Sequence, residues 1–177
     1  NLQDDVRRGG VSFGKLDADL NDAYAQGDAT LEGAEFEVIS KSDGPVLVGG
    51  TWYGSGDVVA TLTTGEDGTT GTSADLLPYG TYEIRESKAP EGYQLNDAWS
   101  TTVEVREDGK VVGLGYAMSD PVTRGGVSVR KVDSERAASD PQGDATLAGA
   151  EFQITNDSGN DVVVDGTRFA PGEVVKT

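Results

Sequence analysis

Alternation of apolar and polar residues with a period of two runs through most of the chain, and helical periodicity is nearly absent. Val11, Phe13 and then Lys15 share one face of a first predicted strand, and Ala34, Phe36 and Val38 share one face of a second. Residues 46–48, 51–53 and 58–62 read as further short strands, separated by Gly49-Gly50 and Gly54-Ser55-Gly56 turns. A loop rich in Gly, Asp and Thr follows at 65–71. Strands are then predicted at 82–86, 101–106 and 111–118, with a tight turn at Ala89-Pro90-Glu91-Gly92. Proline presets the first bend of such a turn and glycine relieves its exit. Residues 18–30 form a polar excursion, and only there does the pattern allow a short helical turn, over Asp22-Ala23-Tyr24-Ala25. About seven short strands in roughly 115 residues predict an all-β fold, an antiparallel β-sandwich.

The pattern also repeats itself. Arg8-Gly9-Gly10-Val11-Ser12 returns as Arg124-Gly125-Gly126-Val127-Ser128, an offset of 116 (124 − 8). Without a gap, Lys15 falls on Lys131 and Asp17 on Asp133. Gln26-Gly27-Asp28-Ala29-Thr30-Leu31 falls on residues 142–147, and Gly33-Ala34-Glu35-Phe36 on 149–152. A domain-sized unit copied in tandem predicts an array, and arrays bridge distance or present surfaces. The predicted organisation is one complete sandwich at 9–122. Residues 1–8 would be the last strand or linker of a preceding repeat, and 123–177 the N-terminal half of a second repeat. That half would lack an opposing sheet and be poorly buried, so the parent protein is expected to extend at both ends.

Net charge is −17, spread along the chain, which argues against nucleic acid or anionic lipid as partner. Cysteine and histidine are absent, so disulfides, zinc sites and histidine-based catalysis are excluded. No metal or other cofactor is expected. No apolar run approaches the length of a membrane span, and no signal peptide stands at the start. A cysteine-free chain rich in Gly, Thr, Asp and Val fits an exported bacterial protein.

Candidate chemistry comes from polar residues that share parity with core positions. Lys15 follows Val11 and Phe13, Glu86 follows Tyr82 and Ile84, and Asp120 follows Leu114, Tyr116 and Met118. Three strands would thus deliver one amine and two carboxyls into the interior, where charged groups are rarely fully buried unless paired. Desolvation favours the uncharged form of any ionisable group. A neutral amine is a nucleophile, a protonated carboxyl can shed water, and a second carboxyl can shuttle the protons. Contact between the reactants supplies a high effective molarity. The chemistry open to such a triad is an intramolecular Lys–Asp isopeptide bond between the first and last strands of the unit.

Several motifs resemble one known family. Lys131-Val132-Asp133 and its earlier copy Lys15-Leu16-Asp17 look like the Lys-x-Asp strand opening of Cna B-type (SpaA-like, prealbumin-like) domains. Leu31-Glu32-Gly33-Ala34-Glu35-Phe36 resembles their second strand. Gly80-Thr81-Tyr82-Glu83-Ile84-Arg85-Glu86 with Ala89-Pro90-Glu91-Gly92-Tyr93 resembles their Gly-x-Tyr-x-x-x-Glu and Ala-Pro-x-Gly-Tyr segment. The resemblance implies a pilin or adhesin stalk at the surface of a Gram-positive bacterium, with neighbouring repeats as partners. It implies Lys15 as nucleophile, Glu86 as proton-transferring acid, Asp120 as acceptor and Lys131 as nucleophile of the next repeat. Most relatives have asparagine at the acceptor; aspartate there implies water, not ammonia, as leaving group. Nothing beyond single-turnover self-modification is implied, so no enzyme is expected.

Three outcomes stay open: a covalent bond, a buried ionic cluster, or a one-residue register slip that exposes all three groups. Ser119 is an alternative at the acceptor position and would form no bond. Asp4, which falls on Asp120 at the same offset, favours Asp120. With its glutamate and acceptor beyond Thr177, Lys131 is expected to keep a free amine. Asp17-Ala18-Asp19-Leu20-Asn21-Asp22 resembles a calcium loop but has Asp22 where the loop needs glycine, and a solvated loop is the simpler reading. Leu77-Pro78-Tyr79-Gly80-Thr81 resembles a sorting signal only superficially and reads as a turn. Trp52, Tyr53, Tyr24 and Trp99 could form a sugar platform, although strand aromatics more often pack. The alternative functions are therefore an adhesin module for a host extracellular protein or glycan, and an accessory module of a secreted glycan-active enzyme.

Overall fold

The computed structural model describes residues 2–177, so Asn1, at the head of the predicted preceding strand, lies outside it. The chain separates into two compact units, one ending at Thr123 and the other beginning at Arg124.

The first unit contains β1 (Arg8–Asp17), β2 (Glu35–Ser40), β3 (Val46–Val48), β4 (Thr51–Tyr53), β5 (Val58–Thr63), β6 (Thr69–Gly71), β7 (Leu77–Pro78), β8 (Gly80–Lys88), β9 (Ser100–Val105) and β10 (Lys110–Asp120). Eight of these ten strands fall on the segments named from the sequence; the other two, β6 and β7, span only three and two residues and are too short to show a period. β6 lies inside the expected 65–71 loop. One sheet has the order β5-β2-β8-β9, antiparallel throughout. The other has the order β10-β1-β6, with β7 also on β1. A small β3–β4 hairpin accompanies them. Val11, Phe13, Phe36, Val38, Tyr82, Ile84, Val103 and Met118 form one core from both sheets, and Phe13 meets Phe36 edge-on at 4.8 Å between ring centroids.

The antiparallel expectation fails at one place. β1 and β10 run side by side in the same direction, so the first and last strands of the unit are parallel neighbours. Alternation reports which face a side chain takes and carries no information on strand direction. The β1–β10 ladder also slips: Ser12 pairs with Gly113, Gly14 with Tyr116 and Lys15 with Met118. Two extra residues accumulate in β10, the behaviour of a β-bulge, and Gly115 accommodates it at φ 63°. The slip overturns one expected facing. Tyr116 is 49% exposed, and its ring lies over Gly14, where a Cβ would stand 2.4 Å from it. Beyond the bulge Met118 and Asp120 point inward again.

No helical turn forms at 22–25. The Asp17 carboxylate accepts the backbone N–H groups of Asp19 and Leu20 at 2.9 and 2.8 Å, while Asp17 N donates to Asp22 O at 2.9 Å. An aspartate that satisfies backbone donors itself competes with helix formation. Among the described residues there is no helix, so none long and apolar enough to cross a membrane. Residues 2–7 carry no strand.

The second unit contains β11 (Ile154–Thr155), β12 (Val162–Val164), β13 (Thr167–Phe169) and β14 (Val174–Lys176), paired as two antiparallel ladders, β11–β14 and β12–β13. Residues 126–132 form no strand and are exposed. The local turn of the first unit recurs: Asp133 bridges Ala138 as Asp17 bridges Asp22, and Ala137 takes φ 50° where Asn21 takes 51°.

Candidate cross-linking site

The ends of β1, β8 and β10 bring Lys15, Glu86 and Asp120 together inside the sandwich. All three side chains are completely inaccessible to solvent. Lys15 Nζ donates to Glu86 Oε1 at 2.8 Å and lies 2.6 Å from Asp120 Oδ2. The second approach is close but lacks hydrogen-bond geometry, and both Asp120 carboxyl oxygens and Glu86 Oε2 have no hydrogen-bond partner. Met118 Sδ, 3.9 Å from Nζ, and the Phe36 ring, 5.9 Å away, wall the amine in apolar surface.

Local sequence explains each placement. Alternation along β1 keeps Lys15 on the face of Val11 and Phe13, and its backbone N–H is held by Gly68 O at 3.0 Å. In β8, Glu86 stands opposite Phe36 of β2 and follows Tyr82 and Ile84 on one face. The two slips cancel in parity, so beyond Tyr116 Asp120 shares the inward face of Met118, and Ala18 N donates to its carbonyl at 3.0 Å. Ser119, the alternative acceptor, has the other parity and is half-buried; Asn96 Nδ2 donates to its carbonyl at 3.4 Å.

Burial pushes Glu86 up to about 7, against the pull of the Lys15 amine, with the Asp120 carboxyl adding to the rise. Its proton is therefore available near neutral pH. One amine facing two carboxyls, one of them protonated, is the proton inventory that amide formation requires.

Residues 17–115, more than half of the chain, match the family model described as SpaA, prealbumin-like fold domain. The chain belongs to that family. This SpaA-type match contains Glu86; Lys15 lies two residues before it and Asp120 five after it. Similar solved structures include the Bacillus anthracis TIE protein (25% identity, 66% of this chain and 18% of that one, TM-score 0.47). Others are a group B streptococcus pilus 2b backbone protein (25% identity, 66% and 42%, TM-score 0.45) and a streptococcal ancillary pilin (29% identity, 67% and 30%, TM-score 0.42). The SpaA-type chain thus spans less than half the length of each of these proteins. No curated protein matches it.

Other candidate residues separate. Lys131 is exposed. Trp99 packs edge-on against Phe36 at 6.1 Å and Tyr53 packs on the core, whereas Trp52 and Tyr24 are 67% and 71% exposed. Among the described residues, no group of three or more Asp or Glu is placed to hold a metal. Asp17 of the suspected calcium loop is fully buried; Gln26 Nε2 donates to both of its oxygens at 2.9 and 3.0 Å, and Tyr93 Oη at 2.7 Å. This second buried polar cluster was not anticipated. Its signals were the return of Asp17 and Gln26 as Asp133 and Gln142, and the tyrosine that closes Ala-Pro-x-Gly-Tyr.

Proposed function

We propose that residues 9–122 form a load-bearing, pilin-like stalk module of a Gram-positive cell-surface protein, closed by a self-formed isopeptide bond between Lys15 and Asp120. The observation that carries this reading is the Lys15 nitrogen, enclosed in apolar surface, 2.8 Å from one carboxyl oxygen and 2.6 Å from another. A permanent ionic cluster is the poorer account. It would bury two carboxyls against one amine and leave three carboxyl oxygens without a hydrogen bond, and buried charge is tolerated only with good pairing. Condensation removes one amine and one carboxyl and leaves only Glu86, which burial already favours in its neutral form.

The step balances without any co-reactant. The Lys15 ammonium first passes one proton to the Asp120 carboxylate; the neutral amine then attacks Asp120 Cγ and the new C–N bond forms. Glu86 Oε1 takes a proton from the nitrogen while the other oxygen gives its proton to the departing hydroxyl. The C–O bond breaks, water leaves and Glu86 is protonated again. Glu86 acts once, so the chain is a self-modifying structural protein with no turnover. Because β1 and β10 are parallel neighbours, tension entering along one and leaving along the other would load their ladder in shear, and the bond would carry that load.

Residues 124–177 are read as the first half of a second such domain. Their exposed strand-forming residues are those that the first unit buries, and the partners of the array would be neighbouring repeats. Intact mass measurement tests the bond. The wild type is expected one water lighter than its sequence, and Lys15→Ala and Glu86→Ala at full sequence mass; a wild type at full mass would remove the cross-link.

A further inference from the structure

The Asp17 cluster does no chemistry in the step above, yet it joins the two strands that the step must bring together. Asp17 lies two residues beyond Lys15 and pairs with Asp120 in the parallel ladder. Its carboxylate accepts from Asp19 N, Leu20 N, Gln26 Nε2 and Tyr93 Oη. All but the last come from within nine residues. The second unit separates the local part from the distant one: Asp133 accepts from Glu135 N and Arg136 N, both at 3.0 Å, and from Gln142 Nε2 at 2.9 Å. Residues 124–177 contain no tyrosine. The turn with its glutamine therefore forms from its own sequence, and the tyrosine is the piece the other half of the domain supplies.

Tyr93 also holds the far strand. It bridges Val122, Gln94 N donates to Pro121 O at 3.0 Å and Thr123 N to Gly92 O at 2.7 Å. These residues directly follow Asp120. The same turn is pressed on the 18–30 segment: Thr30 N donates to Glu91 O at 3.1 Å, and a Cβ at Gly92 would stand 2.4 Å from Ala29 Cβ. One short segment thus grips the chain just after the nucleophile and just after the acceptor.

We propose that Tyr93 is a positioning residue for the cross-link: docking of its hydroxyl on the preformed Asp17–Gln26 turn sets β1 and β10 in the register that brings Lys15 onto Asp120. This rests on the cross-linking reading. A hydroxyl that seats on a buried carboxylate has one good position, and misplacing reacting groups by about 1 Å costs on the order of a hundredfold in rate. Tyr82 supplies a control, since its buried hydroxyl likewise donates one hydrogen bond, to Pro78 O at 2.8 Å, at the end of β8 away from the triad; the Tyr93 hydroxyl in addition accepts from Gln26 N at 3.3 Å.

The test follows water loss by intact mass after cell-free synthesis of the full chain, with Trp99 fluorescence reporting folding. Tyr93→Phe is expected to fold and then cross-link roughly tenfold or more slowly, with the pH midpoint near neutrality unchanged, because Glu86 sets that midpoint and Tyr93 only the height of the plateau. Tyr82→Phe is expected to cross-link within about twofold of wild type. Equal rates for Tyr93→Phe and wild type, or equal slowing in Tyr93→Phe and Tyr82→Phe, would overturn the proposal. If Tyr93→Phe does not fold, Gln26→Leu decides: slowing supports a positioning turn, and a wild-type rate overturns it. A wild type that never loses water removes the cross-link and this inference with it, and is recognised before any variant is compared.

Discussion

Residues 10–17 and 126–133 are nearly the same strand sequence with opposite fates. In the first, Val11, Lys15 and Asp17 are fully buried in a β-strand paired on both sides. In the second, Val127 is 66% and Val129 59% exposed, Lys131 faces solvent and no strand forms. What the two units share is local. The β12–β13 hairpin repeats β3–β4 residue for residue at the offset of 116. β11–β14 repeats part of β2–β5 in the same register, Ile154 with Lys176 as Val38 with Ala60. Arg124 even donates to Val163 O as Arg8 does to Leu47 O. What the second unit lacks are the partners that β8, β9 and β10 provide. The burial of the Lys15 amine beside two carboxyls therefore comes from its surroundings and not from its own strand. Closing contacts across roughly 100 residues costs loop entropy that only a complete core repays.

The largest expected effect is a rescue of the exposed strand. Appending a copy of residues 62–123 after Thr177 would complete the second unit. A second water is then expected to be lost, and Lys131, acetylated readily in the original chain, should become protected; peptide mapping after acetylation checks both. An extended chain that keeps a reactive Lys131 would break the comparison.

Removing the proposed cross-link comes next. Lys15→Ala should restore the full sequence mass and lower the melting temperature of the first unit by about 20 °C. This follows from roughly 4.7 kcal/mol of loop entropy for a loop near 100 residues and the usual conversion for a domain of this size. Differential scanning calorimetry reads the shift, and a change of only a few degrees would mean that Lys15 carries no tie. Lys131→Ala in the same assay should leave that transition in place.

Acidity provides a third measure. Glu86 must hold a proton to release water, and burial raises it to about 7. The rate of water loss should thus be full below that value and fall as pH rises through it, by roughly threefold to tenfold between pH 7 and 8. A rate that climbs through this range would reverse the assigned role. Glu86→Gln should abolish the reaction and not shift its midpoint.

The smallest effect tests the one sequence difference that matters on the outer face. Gly14 is replaced by Arg130 in the second copy. A Cβ at position 14 would meet the Tyr116 ring at 2.4 Å, and the half-exposed ring can swing aside. Gly14→Arg should cost about 1 kcal/mol, read by chemical denaturation of a Lys15→Ala background. A neutral result would show that Tyr116 packing contributes nothing to the bulge.

Much of the site was legible because a strand carries its facing in its parity. Lys15 and Glu86 needed only the observation that each continues a row of core residues. Asp120 continues its row less simply: a first slip around Gly115 turns Tyr116 outward, and a second, between Tyr116 and Met118, restores the inward face. The 22–25 stretch forms no helical turn because Asp17, which reads from the sequence as a metal ligand or solvated group, caps its own turn and receives Tyr93 from a distance of 76 residues.

By itself, the amino-acid order determined the all-β class, the strand faces, the local hairpins and the identity of three inward polar groups. These depend on period-two alternation and on turns whose ends are a few residues apart. Only the tertiary structure decided that the first and last strands are parallel neighbours, that paired slips in β10 turn Tyr116 outward and that Tyr93 grips both strand ends. Each of these is a pairing between segments far apart in the chain, and such pairings are selected by burial of a shared core, for which no single segment holds the information.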